Sequence, residues 1–397
     1  MSNAIDITTL EKLCANWNYP TAMRFGVGRT AEITEVCQAL QISKPLLVTD
    51  AGLIKLSFVR DIVETTSAAG LNTGVFSDVK PNPTGKNIEE GVKVFQEGKH
   101  DGVIALGGGS ALDAGKAIAL MVGQSRPLWD FEDVGDNWLR VDPAGMAPTV
   151  AIPTTAGTGS EVGRASVIVD ESQHRKKIIF HPDMLPKMVI ADPELSRGLP
   201  SHITAATGLD AFVHSLEAYC APGYHPMADG IALEGMRLIK EWLPVAFKRG
   251  DDLTARSHML VASSMGATAF QKGLGAVHAL AHPLGALFDV HHGLLNAILL
   301  PYILESNRVA IQDKLAHVAR CLELDEYSFD AFFHWLLAFR QALNIPDNLQ
   351  AIGITSEKAE QIGELAVQDP SAGGNPIPFT AQQYTDIFTR AVTGARI

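Results

Sequence analysis

The chain has 397 residues, of which 46% are hydrophobic and 19% are charged, so it is long enough for two or three domains and apolar enough to bury large cores. Its 32 Lys and Arg residues against 44 Asp and Glu residues give a formal net charge of −12, and no basic run interrupts this acidic balance. These values argue against a disordered chain, and against a protein that binds nucleic acid or an anionic membrane surface.

The cysteines indicate a reducing compartment. They are far apart and form no CxxC motif, which is typical of reduced, mostly buried thiols: Cys14, Cys37, Cys220 and Cys321. The first ten residues lack a basic region followed by an apolar core, so we expect no signal peptide. The longest charge-free stretches, 143–160 and 273–288, are interrupted by prolines or histidines and do not predict transmembrane helices. We therefore expect a cytoplasmic protein.

Short apolar runs alternate with helical stretches in the first half of the chain. The runs are at 45–49, 74–76, 102–106, 150–153 and 188–191, and helical spacing occurs at 88–97 and 111–122. This alternation predicts a parallel sheet covered by helices. Runs that are apolar throughout are typical of parallel strands buried on both faces.

Helical periodicity dominates the second half, after Pro200. It is seen at 201–220, 228–248, 253–270, 294–304, 311–321, 329–343 and 357–367. We therefore predict an α/β domain over residues 1–195 and an all-α domain over residues 196–397, with the boundary near 193–200.

A glycine turn at 107–110 (GGGS) lies between an apolar run and a predicted helix. The first amides of a helix lack intrahelical partners and attract a phosphate group. The turn is not a P-loop, because five residues separate Gly109 from Gly115 and Ala117 follows the lysine; nor is it GxGxxG, because Leu112 occupies the last glycine position. A tight turn without a ligand remains the alternative.

Two further features suit a nucleotide. Asp50 ends an earlier apolar run, where a carboxylate can accept hydrogen bonds from a ribose diol and repel a 2′-phosphate. An ordinary strand-ending aspartate is the alternative. The loop at 153–161 (PTTAGTGSE) offers hydroxyls and amides to a polar ligand, and it lacks the GxSxG spacing of a nucleophile elbow.

Several histidines have the spacing of metal ligands. Asp210 and His214 are four residues apart, His278 and His282 repeat that spacing, and a His291-His292 pair follows. One carboxylate and three imidazoles suit Fe²⁺ or Zn²⁺. A lone pair would more simply be structural, but two pairs and a third cluster favour a metal, because burying so many polar groups is costly unless a ligand or network satisfies them. HExxH is absent, which argues against a zincin protease.

Four segments together resemble the iron-containing (group III) alcohol dehydrogenase family: GGGSALDAGKA at 107–117, PTTAGTGSEV at 153–162, ATGLDAFVHSLEAY at 206–219 and GLGAVHALAHPLGALFDVHHGLLNAILLP at 273–301. The resemblance runs from about residue 25 to 301 and, more weakly, to the C-terminus. It implies a Rossmann-like, dinucleotide-binding N-terminal domain and a helical, metal-binding C-terminal domain, similar to dehydroquinate synthase. It also implies an NAD-dependent oxidoreductase with a divalent metal, most simply Fe²⁺, and often a homodimer.

By motif position, the resemblance implies the metal ligands Asp210, His214, His278 and His292, the last because the family ligand directly precedes a glycine. It implies these cofactor contacts: Asp50 as the residue that favours NAD, Asn82, Gly108, Gly109, Ser110, Asp113, Thr154, Thr155, Thr158, Lys176 and Leu195. Thr155 would contact either the nicotinamide amide or the ribose, and the resemblance does not decide between them. His282 would carry the proton of the reaction, with a packing role as the alternative.

The implied chemistry is hydride transfer between a small alcohol or aldehyde and NAD(H), with a cation that lowers the pKa of the alcohol. Two cations depart from the family pattern, Arg164 and Lys272. If both border an interdomain cleft they would bind a carboxylated substrate, which favours a hydroxyacid dehydrogenase or a hydroxyacid–oxoacid transhydrogenase; surface or inter-helix charges are the alternative. A non-catalytic metal- or nucleotide-binding protein is the remaining class.

Overall fold

The computed structural model describes residues 21–173 and 175–396. Eight strands are found among them: β1 (Met23–Phe25), β2 (Pro45–Asp50), β3 (Gly74–Val79), β4 (Gly102–Gly107), β5 (Thr149–Pro153), β6 (Ala165–Asp170), β7 (Arg175–Phe180) and β8 (Met188–Ala191). Six of them form one parallel sheet in the order β1-β8-β5-β4-β2-β3. The other two, β6 and β7, form an antiparallel pair.

The central strands are buried on both faces, as their apolar runs predict. Leu46 and Val48 of β2 point into one apolar cluster, whereas Leu47 between them packs into a second cluster with Ile104 of β4. A strand that contacts helices on both sides has no solvent face, so its sequence does not alternate. The predicted fold class, a parallel α/β part followed by a mostly helical part, is confirmed.

Twelve α-helices lie in the described residues: α1 (Ile33–Ala39), α2 (Ser57–Ala68), α3 (Gly85–Gly98), α4 (Gly109–Met121), α5 (Ser201–Cys220), α6 (Pro226–Lys248), α7 (Leu253–Ala269), α8 (Ala276–Phe288), α9 (His292–Cys321), α10 (Phe329–Ala342), α11 (Ala359–Gln368) and α12 (Ala381–Thr393). Short 3₁₀ turns connect many of the elements.

The prediction of separate helices at 294–304 and 311–321 is wrong, because α9 runs through both. Residues 308–310 in its middle are exposed, Val309 to 81%, so the apolar periodicity lapses there while the helix continues. Pro301 lies inside α9 and cannot donate the usual hydrogen bond to the carbonyl of Ala297. The buried Arg340 of α10 supplies that bond instead, with its Nε 2.7 Å from the Ala297 oxygen.

The β6–β7 pair was not predicted. β7 begins with three consecutive cations, Arg175-Lys176-Lys177, which obscure the strand pattern. Lys177 is nevertheless buried, because its ammonium pairs with Asp170 at 2.9 Å and with Glu132 at 3.5 Å.

The described residues form two compact units. The α/β unit comprises 21–207 and 245–264, and the helical unit comprises 208–244 and 265–396. The segment 245–264 joins the α/β unit through Arg256, which donates to the Thr204 hydroxyl at 2.8 Å and to the Leu199 carbonyl at 3.1 Å. These units are not divided at a single point of the chain, and the predicted domain boundary after residue 195 stays a prediction.

The described cysteines are free thiols, and Cys14 lies outside the described residues. Burial raises the pKa of Cys37 and of Cys220 to about 12. Among the described helices, α9 alone is long and apolar enough to cross a membrane; 67% of its apolar window is buried inside the protein, as in the core helix of a soluble protein, so this is weak evidence for a span.

Two helical glycines provide a test of the sheet packing. A Cβ at Gly115 of α4 would lie 2.5 Å from the Cβ of Ala105 on β4, whereas a Cβ at Gly230 of α6 would meet no atom within 4 Å. We expect Gly115→Ala to lower the free energy of unfolding by about 1–3 kcal/mol. Gly230→Ala should raise it by about 0.4–1 kcal/mol, because it restricts only the unfolded chain. Urea and thermal unfolding measure both, and a Gly115→Ala protein as stable as the parent would contradict the packing argument.

Candidate metal centre and cofactor loops

Three of the predicted metal ligands converge in the helical unit. Asp210 and His214 lie one turn apart on α5, with the carboxylate Oδ1 3.8 Å from the imidazole Nε2. His278 comes from α8, and the ligand atoms of these three buried side chains all lie within 4.8 Å of one another. Two helices therefore supply the cluster, although 64 to 68 residues separate His278 from the α5 pair.

The fourth predicted ligand, His292, begins α9 beside this cluster. Its Nε2 is 3.8 Å from Asp210 Oδ1, and its side chain is 24% exposed, unlike the other three. The side-chain amide nitrogen of Asn296, one turn along α9, lies 2.7 Å from Asp210 Oδ1, 3.1 Å from His292 Nε2 and 3.2 Å from His278 Nε2. Three predicted ligand atoms thus surround a single amide, although the ligand set itself stays a prediction.

Glu217 orients His278, on the side of the imidazole away from the other predicted ligands. Its carboxylate accepts hydrogen bonds from the backbone amides of Gly275 at 2.9 Å and Val277 at 2.8 Å, and from His278 Nδ1 at 2.6 Å. With Nδ1 donating to Glu217, the Nε2 of His278 is the nitrogen that remains for a cation. Burial disfavours the charged imidazole, but the Glu217 carboxylate outweighs this and raises the pKa of His278 above its ordinary value.

Sequence reasoning missed Glu217 and Asn296, although a signal for both exists. Glu217 follows Asp210 by seven residues, and Asn296 follows His292 by four, so each lies on the same helical face as a predicted ligand. A search for polar residues at these spacings would have found both.

His282, the predicted proton carrier, is held by Asp369. Its Nδ1 lies 2.8 Å from Asp369 Oδ2, and its ring stacks on that of His292 with the centroids 5.4 Å apart. Burial opposes ionisation of Asp369, but His282 and the hydrogen bonds of Ser371 outweigh it and hold the pKa of Asp369 below its ordinary value. Asp369 is 87 residues from His282, so no local spacing could have revealed the pair.

The donor set fits a divalent cation. One carboxylate and imidazole nitrogens converge in a buried place, and Glu217 fixes the tautomer of one imidazole as in protein metal sites. These donors suit Fe²⁺ and Zn²⁺ alike.

The predicted cofactor residues lie in the α/β unit, and all but Asp113 and Lys176 lie at or after the carboxyl ends of parallel strands. Asp50 ends β2, Asn82 follows β3, the turn Gly108-Gly109-Ser110 follows β4, the residues Thr154, Thr155 and Thr158 follow β5, and Leu195 follows β8. Because these five strands are parallel, the segments share one edge of the sheet, where nucleotides bind in such folds.

The two glycine loops at this edge touch. A Cβ at Gly109 would lie 2.5 Å from Thr158 Oγ1, and one at Gly108 would lie 3.3 Å from Thr155 Oγ1. Glycine is therefore required where the start of α4 meets the loop after β5. The unpaired amides of the first turn of α4 suit an anionic phosphate.

Further contacts connect the remaining cofactor candidates. The Ser110 hydroxyl donates to the Pro81 carbonyl, beside Asn82. Lys176 pairs in register with Val169, whose amide donates to the Pro83 carbonyl at 2.8 Å. Asp50 Oδ1 accepts the amides of Gly52 and Leu53 at 2.8 and 2.9 Å, which fixes its carboxylate at the end of β2.

Asp113, which the resemblance implies as a cofactor contact, has protein partners on both carboxylate oxygens, and its role toward the cofactor stays a prediction. Its carboxylate points into the α/β unit, where it accepts hydrogen bonds from the Ser160 hydroxyl and from the Val167 amide at 2.9 Å. The side chain is 10% exposed and lies 3.3 Å from the ammonium of Lys116. These bonds occupy both carboxylate oxygens with protein groups.

Of the two interpretations of Lys272, a substrate-binding cation or an inter-helix charge, the structure supports the inter-helix charge. Its ammonium is 3% exposed and pairs with Asp229 and with the Tyr219 carbonyl, so it serves packing inside the helical unit. Arg164, in the α/β unit, is half-buried with its guanidinium carbon 5.6 Å from the Phe180 ring centre, and burial lowers its pKa.

The role of Glu217 can be tested by metal binding alone. We expect Glu217→Gln to weaken Co²⁺ binding by about 10- to 100-fold, because His278 loses the carboxylate that orients it. His278→Ala should remove tight binding altogether, and the exposed Glu234→Gln should bind as the parent does. Equilibrium dialysis with metal analysis measures all three, with circular dichroism as the check of folding. Equal affinity for Glu217→Gln and the parent would contradict this role.

The whole chain matches one protein family. Residues 20–193 match the sequence profile described as "Iron-containing alcohol dehydrogenase", and residues 204–392 match "Fe-containing alcohol dehydrogenase family, C-terminal".

Related proteins and solved structures of similar length indicate the same family. The chain is 35% identical to a 4-hydroxybutyrate dehydrogenase of Cupriavidus necator, over 94% of this chain and 99% of that protein. It is 32% identical to an NAD-dependent methanol dehydrogenase of Bacillus methanolicus, over 95% and 100%. The crystal structure of a 1,3-propanediol oxidoreductase superposes with a TM-score of 0.90 at 34% identity, covering 95% of this chain and 100% of that one. The protein belongs to the iron-containing alcohol dehydrogenase family.

Proposed function

We propose that this oxidoreductase is NAD-dependent and transfers a hydride between a small primary alcohol, or its aldehyde, and NAD(H), with a divalent cation held by the helical unit. The observation that carries the proposal is the buried convergence of Asp210, His214 and His278, whose ligand atoms lie within 4.8 Å of one another. The name of the Bacillus methanolicus relative, an NAD-dependent methanol dehydrogenase, supports both the cofactor and the substrate class.

In this proposal Asp210, His214, His278 and His292 hold the cation. A bound divalent cation, Fe²⁺ or Zn²⁺, supplies Lewis-acid polarisation that lowers the pKa of an alcohol. His282 accepts the alcohol proton and is kept in one tautomer by Asp369, whose carboxylate receives its Nδ1 hydrogen.

The α/β unit holds the dinucleotide. The amides at the start of α4 bind the phosphates, and the side chains of the loop after β5 orient the nicotinamide end. The carboxylate of Asp50, already fixed by two backbone amides, accepts hydrogen bonds from the adenosine ribose and disfavours a 2′-phosphate at the same place.

Cofactor and metal dependence can be tested together by the absorbance of NADH at 340 nm. With Fe²⁺ or Zn²⁺ supplied, the protein should oxidise 1-propanol or 1-butanol with NAD and far more slowly with NADP. Asp50→Gly should improve kcat/KM for NADP relative to NAD by about tenfold or more, because like-charge repulsion is removed. A parent protein that prefers NADP would refute the role of Asp50. Binding of NADH and metal without turnover of any alcohol would favour the non-catalytic class.

A second candidate substrate is an ω-hydroxy acid, which the Cupriavidus necator relative favours by its name, a 4-hydroxybutyrate dehydrogenase. Lys272 cannot serve such a substrate while it is buried against Asp229, so Arg164 is the remaining cation of the predicted pair. A guanidinium can bind a carboxylate through two parallel hydrogen bonds.

The two candidates make opposite predictions for Arg164→Ala. If Arg164 binds a substrate carboxylate, the substitution should lower kcat/KM for 4-hydroxybutyrate by about tenfold or more and leave the value for 1-butanol unchanged. A parent protein that prefers 1-butanol, with kinetics that Arg164→Ala does not alter, would exclude the hydroxy acid.

A further inference from the structure

The α/β unit contains a buried lysine that the proposed reaction does not use. Lys116 lies on the second turn of α4 and is 2% exposed. Its ammonium donates to the backbone carbonyls of Ser160 at 3.0 Å, Gly163 at 3.5 Å and Ala165. All three belong to the segment that leads from the loop after β5 into β6.

Before β6 begins, this segment forms neither a strand nor an α-helix. Gly159 adopts a left-handed conformation with φ of 64°, and a single 3₁₀ turn, Ser160–Val162, follows. Gly163 then adopts an extended conformation before β6 begins. Carbonyls in such a segment are costly to bury unless a donor reaches them. Lys116 donates to three of them at one point, and the Ser160 carbonyl also accepts the Gly163 amide at 3.1 Å.

Asp113, one turn before Lys116 on α4, binds the same segment. It receives the Ser160 hydroxyl and the Val167 amide, and the Ser166 hydroxyl donates to its backbone carbonyl at 2.8 Å. Lys116 and Asp113 therefore bind residues 160–167 from one helix face. Burying a charged pair costs free energy, and hydrophobic groups of similar volume would often be as stable. We therefore assign these two side chains to positioning of the segment rather than to stability.

The clamped segment continues directly into the candidate cofactor loop. Thr158 lies two residues before Ser160, and its hydroxyl packs where a Cβ on Gly109 would be 2.5 Å away. A shift of the segment by a fraction of an ångström would therefore move Thr158 against the phosphate-binding turn at the start of the same helix, α4.

We propose that Lys116, assisted by Asp113, is a positioning residue for the cofactor: it holds the loop after β5 against the first turn of α4, so that the two loops are preformed before the dinucleotide binds. The inference rests on the proposed function. Because contacts within the protein already order the two loops, cofactor binding does not have to order them. Loss of the Lys116 and Asp113 contacts should therefore mainly weaken cofactor affinity.

The chain offers a matched control in the helical unit. Lys314 is less buried than Lys116, but its ammonium also donates to three carbonyls, those of Tyr219 at 3.0 Å, Cys220 at 3.1 Å and Ala221 at 3.2 Å. Methionine replaces either lysine with similar length and no charge. Lys116→Met and Lys314→Met therefore remove equivalent bonds, one set beside the cofactor loops and one set elsewhere.

We expect Lys116→Met to raise the Kd for NADH, measured by fluorescence, and the KM for NAD by about tenfold or more, with a smaller change in kcat at saturating NAD. Lys314→Met should lower the Tm but leave the Kd and both kinetic constants as in the parent. Equal effects of the two variants on Tm with no change in the Kd for NADH would overturn the inference.

A second variant covers the case in which Lys116→Met does not fold. Ser160→Ala removes the hydroxyl that Asp113 binds and should weaken NADH binding severalfold without unfolding; unchanged binding would overturn the inference by itself. The parent protein separates this failure from that of the proposed function. If the parent binds no NADH, the proposed function fails; if the parent binds it and the variants bind it equally, only the clamp fails.

Discussion

The Glu217 carboxylate is the interaction on which the candidate metal centre depends. It binds two backbone amides at the start of α8 and the Nδ1 of His278, so one side chain of α5 sets both the position of α8 and the orientation of its imidazole. Asp210 and His214 lie on the same helix as Glu217, so α5 determines the positions of all three converging side chains: two directly, and His278 through Glu217. Asn296 then connects Asp210 to α9. A cation placed here would meet donors whose geometry is already determined by hydrogen bonds.

In the α/β unit a candidate binding loop is also held by a buried charged side chain, which there is a lysine instead of a carboxylate. There a cation, Lys116, gathers carbonyls of an irregular segment, and Asp113 of the same helix receives its donors. In both units a helix that carries candidate binding groups at one turn carries their supporting groups one or two turns later. The candidate binding groups and the groups that hold them therefore lie on one rigid helix. That helix keeps the adjoining irregular loops in place.

Patterns of local spacing predicted much of this architecture. The apolar runs of β2, β4 and β5 indicated buried parallel strands, and the four-residue spacings indicated the convergence of Asp210, His214 and His278. What could not be predicted depends on contacts between distant residues, such as Asp369 with His282. The direction of a side chain is equally hidden: the resemblance implies Asp113 as a cofactor contact, yet its carboxylate accepts the Val167 amide inside the α/β unit.

The proline inside α9 has a consequence for substitutions in this chain. Pro301 leaves the Ala297 carbonyl without its helical donor, and Arg340 of α10 supplies one from inside the core, where burial lowers its pKa to about 10. The two positions are therefore coupled: as long as residue 301 is proline, loss of the Arg340 side chain leaves the Ala297 carbonyl without a donor. A residue with an N–H at 301 would compete with the guanidinium for the same oxygen, so substitutions at the two sites should be epistatic rather than additive.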